Sequence, residues 1–114
     1  MDIIMGAEFY NHRGLAYFRQ KRMKDSLEDL NQALGHNDKE PVFYFNRGNI
    51  YYEIQEFEKA HADYDVAIRM EPNNPQYWHS KGQAFEGVDA EGNIEQAIRM
   101  FKQALLIEPE YFGA

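Results

Sequence analysis

Tyr44-Phe45-Asn46-Arg47-Gly48, followed three residues later by Tyr51, is the stretch on which the fold turns. Thirty-four residues upstream it returns as Tyr10-Asn11-His12-Arg13-Gly14 with Tyr17, and 34 downstream as Trp78-His79-Ser80-Lys81-Gly82 with Phe85. In each copy an aromatic stands four residues before the glycine and another three after it, so all three positions share one helical stripe. A second pattern follows every phrase. Its small positions are Ser26, Ala60 and Ala97, its large ones Leu30, Tyr64 and Phe101, and a further small set is Ala33, Ala67 and Ala104. The units close on Glu71-Pro72 and Glu108-Pro109, with Asn37-Asp38 in the first. The third stays in register only if three extra residues are allowed in its inter-helix turn, Gly87-Val88-Asp89-Ala90-Glu91-Gly92-Asn93.

A period of this length marks an array of supersecondary units, each burying its apolar face on its neighbours. Small residues let two antiparallel helices approach, and the large residue four positions on fills the space beside them. Helices are expected at about 7–20, 23–36, 41–54, 57–70, 75–88 and 94–107. Pro41 and Pro75 suit a first helical turn, where a missing N–H costs nothing. Asn74 is a good cap ahead of Pro75, and Asn93 with Gln96 reads as a capping box.

These phrases resemble the tetratricopeptide repeat, over residues 7 to about 111. The resemblance implies an all-α fold: a right-handed α-solenoid of three antiparallel helix-turn-helix hairpins. The expected divisions are an N-terminal extension 1–6, repeats at 7–40, 41–74 and 75–111, and a C-terminal tail 112–114. It further implies that Tyr10, Tyr17, Tyr44, Tyr51, Trp78 and Phe85 are packing residues. The first helix of each hairpin lines a concave peptide-binding groove in that family. Carried over, its positions are Glu8, Asn11, His12, Leu15, Phe18 and Arg19, then Val42, Phe45, Asn46, Asn49, Tyr52 and Glu53, then Gln76, His79, Ser80, Gln83 and Glu86. Amides such as Asn11, Asn46, Asn49 and Gln83 offer both donors and acceptors to a bound backbone. Phe18, Phe45 and Tyr52 are the expected apolar anchors, and His12 and His79 would make binding sensitive to pH near 6 to 7. The expected function is a protein-interaction scaffold within a larger protein. The alternative is a structural spacer or self-association unit with no dedicated peptide ligand.

Some members of the family grip chaperone C-termini with a carboxylate clamp of Lys, Asn, Asn, Lys and Arg. The corresponding residues here are Asn11, Leu15, Asn46, Gln76 and Ser80. Only Asn46 matches and every cation is missing, so no such clamp is expected.

Composition narrows the remaining classes. The chain has 114 residues, a formal net charge of -7 and no cysteine. One domain is expected, and disulfides, thiol nucleophiles and cysteine-ligated metals are excluded. The basic stretch Arg19-Gln20-Lys21-Arg22-Met23-Lys24 reads as an inter-helix turn rather than a nucleic-acid face. No apolar run approaches the ~20 residues a bilayer demands, and Met1-Asp2-Ile3-Ile4-Met5 is no signal peptide. A cytoplasmic location is expected. His12, His36, His61 and His79 lack metal-ligand spacing, and His61 stands where other units carry Leu27 and Ile98. Gly82 and Gly87 mimic a phosphate loop, but Val88-Asp89 replaces the Lys-Ser/Thr. The paired acids Glu28-Asp29 and Asp63/Asp65 are expected on solvated outer faces. No catalytic activity and no cofactor are expected. The last hairpin would leave Ile98, Leu105 and Ile107 partly uncovered, a surface available for self-association.

Overall fold

The computed structural model describes residues 3–88 and 92–109, and the described residues form helices without strands. They are α1 (Ile3–Arg19), α2 (Met23–His36), α3 (Pro41–Glu53), α4 (Phe57–Met70), α5 (Pro75–Glu86) and α6 (Asn93–Ile107). Helices pair as α1·α2, α3·α4 and α5·α6, and the pairs stack through α2·α3 and α4·α5. In addition α1 touches α3 and α3 touches α5, whereas α2, α4 and α6 do not meet. Helices α1, α3 and α5 are therefore the tightly spaced inner layer of a right-handed solenoid, and the others its outer layer. The α1 helix reaches back to Ile3, into the stretch expected to be an extension. Asp89–Glu91 of the turn insertion and the tail from Glu110 lie outside the described residues.

The repeat glycines are contact points. A methyl on Gly14 would lie 2.4 Å from Leu30 Cδ2, on Gly48 2.7 Å from Tyr64 Cε1, and on Gly82 2.6 Å from Phe101 Cε1. Each hairpin closes by laying its large second-helix residue flat on that bare backbone. Ser26, at a small position, is buried and donates its hydroxyl to the Gly14 carbonyl at 2.7 Å.

Helix ends follow local chemistry. Pro41 and Pro75 open α3 and α5, and Asn74 Oδ1 accepts from the Gln76 N–H at 3.0 Å. The turns after α1 and α3 are copies, with Lys21 and Gln55 at φ 63 and 65. Arg22 N–H returns to the Tyr17 carbonyl at 2.9 Å, and Glu56 N–H to the Tyr51 carbonyl at 2.8 Å. The expected capping box at Asn93 does not form. Gly92, at φ 94, is the cap, because the insertion has to re-enter a helix from a left-handed residue. Asn93 is the first helical residue instead, and its Nδ2 reaches the Val88 carbonyl at 3.4 Å.

Two buried clusters hold the stack. Leu30, Ala33 and Leu34 of α2 pack with Phe43 and Ile50 of α3. Tyr64, Ala67 and Ile68 of α4 pack with Phe45, Tyr77 and Ala84. The expected packing aromatics are all half-buried, and Tyr10, Tyr44, Tyr51 and Trp78 pack at the cluster edges. Tyr44 Oη donates to the Asp38 carbonyl at 3.1 Å and Trp78 Nε1 to the Pro72 carbonyl at 2.9 Å, tying each inner helix to its incoming loop.

The acids depart from expectation. Asp29 and Asp63 are buried, not solvated. Arg13 closes on Asp29 through Nε and Nη2 at 2.8 and 2.9 Å, and Arg47 on Asp63 at 2.8 and 2.7 Å. The Arg47 guanidinium also lies over the rings of Tyr44 and Tyr51. Its Nη1 reaches back to Asn31 of the preceding hairpin at 3.0 Å. Lys81 pairs with Asp65, the register equivalent of Asn31. The basic residue before each glycine thus ties its inner helix to an outer one as a strut, Arg13 to α2, Lys81 back to α4 and Arg47 to both α2 and α4, and Met100 replaces the in-hairpin carboxylate in the third unit.

Candidate peptide groove

The expected groove residues all lie on α1, α3 and α5, and they divide into two kinds. Asn11, Asn46 and Phe45 are buried. Asn46 Nδ2 donates to Asn11 Oδ1 at 2.9 Å, which bolts α3 to α1. Phe45 packs on Tyr64 and Tyr77, with centroids 5.9 and 4.8 Å away, so it is core and not the anchor expected of it. The reason is its neighbourhood: α3 is flanked on both sides, and its wide ring reaches the slot between α4 and α5.

The second kind is accessible. Leu15, Phe18, Asn49, Tyr52, His79 and Ser80 are half-buried, and His12, Arg19 and Gln83 are exposed. Phe18 leans on the first cluster, and Tyr52 meets Phe57 edge-on at 5.7 Å. Asn49 Oδ1 accepts the Tyr64 hydroxyl at 2.6 Å. Burial pushes the Tyr64 hydroxyl's pKa well up, so it remains a donor there. His12 stands 3.7 Å from Glu8, both largely exposed. His79 packs against Phe101, centroids 5.4 Å apart. Desolvation lowers the His79 pKa, against the weaker opposing charge of Glu86. Among the described residues no three of His, Asp and Glu cluster as metal ligands would. Nor is any helix long and apolar enough to cross a membrane.

A tetratricopeptide repeat profile matches residues 7–38 and 75–111, and a second profile of the same repeat matches 48–88. The chain belongs to the tetratricopeptide repeat family. Human RNA polymerase II-associated protein 3 is 35% identical over 99 residues, covering 82% of this chain and 13% of its own length. Human Tetratricopeptide repeat protein 6 is 31% identical over 74 residues, 65% of this chain and 14% of its own. The chain thus spans a small part of the curated relatives it matches. Among solved structures, the first such domain of Spaghetti, bound to the HSP90 peptide SRMEEVD, superposes with a TM-score of 0.88 at 20% identity. That match covers 96% of this chain and 84% of the other. MamA superposes at 0.84 with 28% identity, over 96% of this chain and 61% of its own. Tetratricopeptide domains are protein-interaction modules, and the likeness to Spaghetti establishes the shared fold.

The strut residues were missed in the sequence. Arg13, Arg47 and Lys81 share one register, as do Asp29 and Asp63, and that shared 34-residue spacing was the available signal.

Proposed function

We propose that the concave face of α1, α3 and α5 holds a peptide or helical segment of another protein, making the chain an interaction scaffold. One observation carries this reading: the inner layer keeps half-buried side chains, Leu15, Phe18 and Tyr52 above all, beside exposed polar ones that no packing contact uses up. Phe18 and Tyr52 stand in the same register on successive inner helices, which suits anchors for one extended ligand. Of the charged groove positions, Glu8, Glu53 and Glu86 outnumber Arg19, while Arg13, Arg47 and Lys81 of the same helices pair with outer-helix carboxylates, so the face favours a neutral or basic segment over an acidic one. The clamp positions point the same way, since Leu15, Gln76 and Ser80 offer no cation to a carboxylate.

The test is a peptide selected against this chain from a random display library, its affinity followed by calorimetry. Tyr52→Ala and Gln83→Lys are each expected to weaken it about tenfold, in line with truncating an anchor. Gln83 is exposed and Tyr52 stands at the edge of the second cluster, whereas Phe45→Ala would hollow that cluster out. Affinity untouched by either variant would leave the groove without a ligand. A peptide ending in the acidic Glu-Glu-Val-Asp carboxylate is expected not to bind, and a micromolar complex would overturn the proposed ligand chemistry.

A further inference from the structure

The two ends of the molecule are halves of the interface that its own repeats use twice. Leu30 and Leu34 of α2 receive Phe43 and Ile50 of α3. One repeat on, Tyr64 and Ile68 of α4 receive Tyr77 and Ala84 of α5. The next outer pair in register is Phe101 and Leu105 on α6, and the inner pair that precedes the series is Phe9 and Ala16 on α1. Burial follows this arithmetic. Phe43 and Tyr77 are 0% and 3% exposed, yet Phe9 is 58% exposed. Leu34 and Ile68 are both 9% exposed, yet Leu105 is 40%. Ile98, equivalent to half-buried Leu27 and His61, is likewise exposed.

We propose that a second copy of this chain docks head to tail, its α1 laid on the α6 of the first with Phe9 in the slot that Phe43 and Tyr77 fill internally. The contact continues the α2·α3 and α4·α5 interfaces and leaves the concave face open, so it does not depend on the groove reading. It is heterologous, with different surfaces on the two partners, and therefore forms an open series rather than a closed dimer. One contact restrains it. Inside the chain, Arg47 meets Asn31 and Lys81 meets Asp65 across each junction. Across the junction between copies, Arg13 meets Lys102, the register equivalent of Asn31 and Asp65, and the two like charges repel.

Sedimentation velocity from micromolar to millimolar protein tests this. Association is expected to grow with concentration through several sizes. Lys102→Glu, an exposed position, is expected to tighten it about tenfold by turning repulsion into a pair. The variant also makes each copy more acidic, so general charge repulsion works against that result. Phe9→Glu and Leu105→Glu are each expected to abolish self-association alone, while their mixture forms a dimer and stops there, since only one sound face of each kind remains. A Lys102→Glu chain no tighter than wild type would overturn the proposal. So would association that survives Phe9→Glu, as it would if two α6 faces paired.

Discussion

The second and third hairpins are built on one template and differ in how much holds them. Helix α4 is covered by its partner α3 and by α5, and Tyr64 is sealed against the Gly48 backbone. Helix α6 meets α5, and Ala97 and Ala104 are its buried residues while Phe101 is half-buried. Arg47 grips Asp63 within its own hairpin and Asn31 behind it; Lys81 pairs only backward, with Asp65, because Met100 stands where the carboxylate belongs. In a solenoid, stability is a sum of unit terms and nearest-neighbour interfaces. A shared repeat pattern therefore does not mean shared stability: hairpin three has one fewer interface and one fewer strut, and it should open first.

The glycines give the sharpest contrast. A methyl at Gly48 meets the caged Tyr64 ring at 2.7 Å, and the ring has nowhere to go. Gly48→Ala is expected to cost about 3 kcal/mol, the upper range for overpacking. At Gly82 the same methyl meets Phe101 at 2.6 Å, but that ring is half-buried and less confined than Tyr64. Gly82→Ala should cost about 1 kcal/mol. Urea denaturation of the two variants decides the matter, and equal losses would mean that the third hairpin is as tightly packed as the second.

A smaller effect separates the struts. Asp63→Ala removes a buried carboxylate and leaves Arg47 half-buried without its fork partner, an expected loss of about 2 kcal/mol. Asp65 is more exposed, so Asp65→Ala should cost less than about 1 kcal/mol. A larger loss at Asp65 would show that the backward link, not the in-hairpin fork, does most to hold the array.

Helix positions and the hairpin order were legible because they depend on a periodic pattern that survives three repetitions. Gly14, Gly48 and Gly82 could be read as close contacts from their partners Leu30, Tyr64 and Phe101 alone. The inner helices were legible, but not which of their residues are buried. Spacing places Phe45 on the inner face, but a large side chain on a middle helix also reaches the gap between its neighbours, and only packing reveals which it does. Asn11 and Asn46 read as two ligand-facing amides, whereas both are buried and bonded to each other across adjacent helices. Asp29 and Asp63 looked solvated because charge alone suggests water; the Arg partners lie 16 residues away in sequence, beyond any local window.

The smallest effect concerns pH, and it too falls on the junction between hairpins two and three. His61 of α4 lies against the Phe85 ring of α5, centroids 4.1 Å apart, and its Nδ1 is buried without a hydrogen-bond partner. Desolvation lowers its pKa first, and the charge of Lys81 adds to this, against the weaker opposing pull of Asp65. The folded chain therefore binds this proton less well than the unfolded chain. The stability at stake is whole above the unfolded imidazole value of about 6.5 and is lost as pH falls through it toward the folded value. His61→Leu, which copies Leu27 of the first hairpin, removes that term. Between about pH 7.5 and 5.5 the variant's urea midpoint is expected to fall less than that of wild type, with a difference below about 1 kcal/mol for a half-buried group. His79, lowered in the same direction, keeps part of the slope in both proteins. Parallel curves for the two would place the acid sensitivity elsewhere and leave the His61–Phe85 contact as plain packing.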